Sequence, residues 1–86
     1  MINAEFRSEE RYCRLLLSYD KENEKKSLCE KVDLVIQKYA YKPEIYTTSR
    51  PNGIEILVVE YHDDCNRQAG QIFEEIIKIL DITNFN

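Results

Sequence analysis

The chain has no tryptophan, one histidine, two glycines, two prolines and three cysteines in 86 residues. Each scarcity removes a class of chemistry. Gly53 and Gly70 are the only glycines, and neither opens a helix after a strand, so no glycine-rich loop is available to cradle a phosphate. A single histidine, His62, would have to serve every histidine-dependent catalytic set or metal centre. Cys13, Cys29 and Cys65 are odd in number, widely spaced and without a Cys-x-x-Cys pair. That spacing fits neither a disulfide framework nor a zinc signature, and it predicts three reduced, largely buried thiols. The longest apolar runs, Leu15 to Leu17 and Ile56 to Val59, fall far short of the roughly 20 residues of a membrane span. Residues 1–6 lack the basic start and apolar centre of a signal peptide, which makes the cytoplasm the expected location.

Charge narrows the field further. Twelve Lys and Arg stand against 16 Asp and Glu, a net charge of −4, and phosphate backbones are held by clustered cations. No nucleic-acid partner is expected. The six tyrosines invite comparison with RNA-binding sheets that stack bases on aromatics, but the run Ile54 to Tyr61 holds no basic residue and no Lys/Arg-Gly-Phe/Tyr pattern. Tyrosines at a protein interface fit better.

What is present is a hydrophobic fraction of 43%, enough for a globular core, in a length that supports one domain. Residues 1–11 read as an N-terminal extension, a short helix or disordered, and residues 12–86 as a single α+β domain. Its centre is a hairpin: Glu44–Ser49 and Ile54–Tyr61 are β-prone runs that meet at Arg50-Pro51-Asn52-Gly53. Pro51 pre-sets a type I turn and Gly53 supplies the left-handed residue that closes it. Before the hairpin, Tyr12–Tyr19 alternates as a strand. A helix follows, capped by Asp20 or Asn23, or starting later at Ser27 with Glu30; it carries Leu28, Val32, Val35, Ile36 and Tyr39 on one face. After it, Asp63 or Asp64 caps a second helix with Cys65, Ala69, Ile72, Phe73, Ile76 and Leu80 as its stripe. Ile82–Phe85 reads as a short final strand or a frayed end. No internal repeat is evident.

The order β-α-β-β-α matches the split β-α-β, ferredoxin-like arrangement: an antiparallel sheet with two helices on one face. The hairpin register places Tyr46 opposite Val58 and Thr48 opposite Ile56; it does not decide which row meets the helices, and Ile45, Leu57, Val59 and Tyr61 are chosen for that side because the choice leaves Tyr46 and the Thr/Arg edge outside. The other face then collects Tyr12, Leu16, Tyr46, Ile56 and Val58, the candidate interface. A sheet face without a covering layer is ordinarily polar, so an apolar one calls for a partner.

The expectation is a non-enzymatic protein-interaction module, a homodimer or a binder of another protein through its open face, without cofactor, metal or membrane. His62 beside Asp63 and Asp64 could be written as an oriented base or a metal ligand; a solvated neighbour of two helix-capping carboxylates is the simpler account. A ligand sensor of the ACT type resembles this chain in element order, which would imply a small-molecule site near the first strand-to-helix turn. That turn, Ser18 to Asn23, has no glycine for close backbone approach. Size and acidity also fit a phage or mobile-element protein that blocks a host factor.

Overall fold

Two antiparallel hairpins, each followed by a helix, build the chain in a computed structural model. The elements are β1 (Asn3–Ser8), β2 (Tyr12–Asp20), α1 (Lys25–Ile36), β3 (Glu44–Ser49), β4 (Ile54–His62) and α2 (Arg67–Ile79). The structure describes residues 2–9, 12–40, 42–62 and 67–82, with no side-chain description at 67 and 68.

The strand β1 corrects the first expectation. The segment read as a helical or disordered extension supplies an edge strand, paired from Asn3↔Ser18 to Ser8↔Cys13, so the order is β-β-α-β-β-α. Its sequence, Asn-Ala-Glu-Phe-Arg-Ser, has only two apolar residues in alternation. The partner strand, more than local propensity, makes it β. The sheet runs β1-β2-β4-β3 and every pairing is antiparallel.

One face of that sheet holds the core. Cys13, Leu15, Leu17 and Tyr19 from β2 and Leu57, Val59 and Tyr61 from β4 cluster with Leu28, Val32, Val35 and Ile36 of α1 and Ala69, Ile72, Phe73 and Ile76 of α2. Both helices therefore lie on the same side. The hairpin register is as read from the turn, Tyr46↔Val58 and Thr48↔Ile56, with Gly53 at φ 83°. Ile45 shares the parity of the core row yet is 47% exposed, because β3 is an edge strand beyond the cover of the helices.

The molecule also contains a repeat that the residue identities conceal. Each element of the second β-β-α unit starts 41 or 42 residues after its counterpart in the first, and Leu16 opposes Val58 between the two central strands. Tyr19 and Tyr61 occupy equivalent places in β2 and β4, and both are fully buried. Beyond Leu15/Leu57 and Tyr19/Tyr61 the two central strands share only their alternation, which is why no repeat shows in the sequence itself.

Element ends follow local chemistry. The Asp20 carboxylate accepts the backbone N–H groups of Glu22 and Asn23 at 2.9 and 3.3 Å, and the Glu24 side chain accepts the Asp20 N–H at 2.8 Å. These bonds close the turn from which α1 starts at Lys25, ahead of the alternative start at Ser27. The Lys42 ammonium donates to the Ile36 carbonyl at 2.9 Å, satisfying the helix end and complementing its dipole. Helix α2 ends in a left-handed Asp81 (φ 55°), with the Ile82 N–H donating to the Ile77 carbonyl at 3.1 Å. That Schellman reversal folds Ile82 onto the core, so Ile82 is not in a strand; the remainder of that expected strand and the Asp63 and Asp64 caps lie outside the described residues.

The thiols also depart from expectation. Cys13 is disulfide-bonded and Cys29 is a free, half-buried thiol; Cys65 lies outside the described residues. Sequence spacing reports no contact between cysteines far apart in the chain, so an odd count said nothing about Cys13.

Candidate docking face

The five residues singled out as an interface, Tyr12, Leu16, Tyr46, Ile56 and Val58, do share the face opposite the helices. Strand pairing arranges that face in rows across the sheet. One row runs Glu5, Leu16, Val58, Tyr46; beside it on one side lies Asn3, Ser18, Ile56, Thr48, and on the other Arg7, Arg14, Glu60, Glu44. The centre is aliphatic and one flank is charged. Leu16 is half-buried and Tyr46 is 41% exposed, whereas Ile56 and Val58 are buried. The apolar area is therefore a band, narrower than the alternation in the sequence implies.

Glu60 organises the charged flank. Its Oε1 accepts from the Arg14 Nε at 2.5 Å and from the Tyr46 hydroxyl at 3.1 Å, and its Oε2 lies 2.6 Å from the His62 Nε2. The Arg14 guanidinium in turn lies over the Tyr12 ring, 4.4 Å from its centroid, in a cation–π contact. Burial pushes the Glu60 carboxyl upward, but the hydrogen bonds from Arg14 and Tyr46 outweigh it and hold the group below the usual carboxylate range. Sequence reasoning placed His62 with Asp63 and Asp64; the structure pairs it with Glu60 and, at 3.5 Å, with Glu44 on the neighbouring strand. Those carboxylates stand two positions along β4 and across the hairpin, a relation that only the register discloses.

Glu44, Glu60 and His62 bring one ligand atom each within 4.8 Å of one another. By donor type such a trio suits a divalent transition metal. The buried member is already engaged on both oxygens, and the Arg14 cation against it disfavours a second positive charge.

A second polar group was missed altogether. Glu55 lies on the helix-facing row and is 3% exposed. It accepts from the Tyr19 hydroxyl, which is completely buried, and pairs with Lys25 of α1 at 3.0 Å. The Tyr19 hydrogen bond, followed by Lys25, lowers the Glu55 pKa, while burial and Glu55 raise that of Tyr19. This clasp ties the start of α1 to the sheet. Its only sequence signal is a glutamate between two isoleucines in a strand.

The signs fix a pH response. Glu55 and Glu60 both have folded pKa values below their unfolded ones, so each stabilises the fold above the unfolded value of about 4.3 and loses that contribution as pH falls through the folded value. The thermal midpoint is expected to hold from pH 7 to 5 and to drop below about pH 4. In Glu55→Gln the acid drop should be shallower.

At the end of the face near the β3–β4 turn, Asn3, Arg7, Ser18, Arg50 and Ile54 line an open depression of about 370 Å³. No helix among the described residues is long and apolar enough to cross a membrane. Comparison with protein-family models, with curated proteins and with solved structures finds no match.

Proposed function

We propose that the protein is a non-enzymatic interaction module that docks a protein partner on the open face of its sheet. One observation carries the reading: both helices pack on one face, while on the other Leu16, Ile54, Tyr12 and Tyr46 are partly exposed above buried Ile56 and Val58, and neither helix packs there. An aliphatic centre rimmed by tyrosine and arginine has the composition of a protein-binding surface. The ionisable groups beside it neutralise one another and do not converge on an open position, which supports a binding role over a catalytic one.

The depression favours one second reading, a regulatory domain that senses a small anion through Arg50, with Arg7 beside it paired to Glu5. A ligand of that kind raises the melting temperature of the wild type and fails to do so in Arg50→Ala. We also read the run from β2 to α2 as a relative of the split β-α-β arrangement, with β1 in the edge position beside β2. That likeness is one of topology and carries no function.

Capture from an extract of the native host, comparing the wild-type chain with Leu16→Glu, tests the docking reading. Leu16 is partly exposed at the centre of the face, so the substitution should leave the circular dichroism spectrum and melting temperature close to wild type. A protein retained by the wild type and lost from Leu16→Glu is the expected result. Equal retention by both chains, or none by either, would contradict it.

A further inference from the structure

We infer that two copies of the chain pair antiparallel along β3, centred on Thr47, and join their sheets into one. The inference rests on the edge strand and is independent of what docks on the open face.

The backbone of β3 offers the means. The Arg50 N–H donates to the Ile54 carbonyl at 2.8 Å, and the register continues without a bulge from Ser49↔Glu55 to Glu44↔Glu60. In an antiparallel ladder hydrogen-bonded and non-hydrogen-bonded pairs alternate. Thr48, Tyr46 and Glu44 therefore bond to β4, and the N–H and C=O groups of Ile45, Thr47 and Ser49 point away from the sheet. No described strand lies beyond β3, and all six of its residues are exposed. Natural edges are usually blunted by lysine, proline or a bulge; Glu-Ile-Tyr-Thr-Thr-Ser has none of these within the strand.

The occupant follows from the register. Centring on Thr47 pairs Thr47 with itself and Ile45 with Ser49 of the second copy, so all three outward residues exchange hydrogen bonds. Centring on Ile45 would set Thr47 against Pro43, and centring on Ser49 would set it against Pro51, neither of which has an N–H to give. The same register places Tyr46 opposite Thr48 and Glu44 opposite Arg50 of the second copy, opposite charges in a close, non-hydrogen-bonded pair that occurs twice. The other edge, β1, also turns N–H and C=O groups outward, at Ala4, Phe6 and Ser8, but Glu5 and Arg7, the charges that would face each other across a second copy there, already pair within one chain. Joined at β3, the two open faces become continuous, with the Leu16, Val58 and Tyr46 bands side by side.

Sedimentation velocity and amide hydrogen exchange on the full chain test the pairing. The expected result is a dimer at micromolar concentration in which the amides of Ile45, Thr47 and Ser49 exchange slowly. Thr47→Pro removes the central donor at an outward position that an edge strand tolerates, so it should give a folded monomer. Glu44→Arg should weaken the dimer about tenfold, and Glu44→Arg with Arg50→Glu should restore it. A folded monomer with fast exchange at those three amides overturns the inference, as does a dimer that survives Thr47→Pro. Dimerisation lost in Leu16→Glu but kept in Thr47→Pro would place the contact on the open face, overturning edge pairing and leaving the docking reading standing.

Discussion

Deleting residues 1–9 is expected to abolish cooperative thermal unfolding and leave an aggregation-prone chain. Strand β1 pairs with β2 over six residues, and β2 is the strand whose Leu15, Leu17 and Tyr19 are completely buried. Without β1, that central strand becomes an unprotected edge. The core also loses Ala4, which is 4% exposed, and the Phe6 ring against Phe73. A domain of this size has about 5–15 kcal/mol of total stability, and losing one of four strands removes much of it. Were residues 1–9 a dispensable extension, the truncated chain would melt cooperatively near the wild-type temperature, and calorimetry of the two chains distinguishes the outcomes.

Arg14→Leu is expected to cost about 1–3 kcal/mol, the penalty for taking a strong partner from a buried carboxylate. Glu60 keeps His62 and Tyr46 as neighbours, which places the loss below that of a wholly orphaned charge. The double variant Arg14→Leu with Glu60→Leu should recover most of the stability, because replacing both partners of such a pair by apolar groups of similar size is often neutral. It also extends the aliphatic band through Leu16 and Val58 into the charged row, so concentration-dependent association should increase. Urea titrations of the single and double variants measure the first effect, and light scattering measures the second. A single variant as stable as the wild type would show that Glu60 is solvated rather than held.

Much of the framework was legible because its signals are local. Pro51, Asn52 and Gly53 define the turn, the turn defines the register, and the register decides which residues share a face; that the Leu57 row rather than the Val58 row meets the helices comes from the packing. The helix stripes Leu28-Val32-Val35-Ile36 and Ala69-Ile72-Phe73-Ile76 repeat at the helical period and need no tertiary information. Strand β1 was invisible because its β-character comes from β2, and the Cys13 disulfide because covalent pairing of thiols leaves no periodic trace. The sheet face was legible in outline only. Alternation put Leu16, Ile56 and Val58 together, but Arg14, Glu60, His62 and Glu44 were scattered over three strands until pairing made them neighbours. The buried Glu55 was concealed for the same reason: its partners, Tyr19 and Lys25, come from a different strand and helix.

The central claim is that the uncovered face of the sheet, and not the helix surface, receives another chain. Hydroxyl-radical footprinting of the purified protein, before and after addition of native-host extract, tests it most directly. The account predicts that Tyr12, Leu16 and Tyr46 become protected while Leu34 of α1, which is 58% exposed, keeps its reactivity. Protection of Leu34 with Tyr46 and Leu16 unchanged would contradict it.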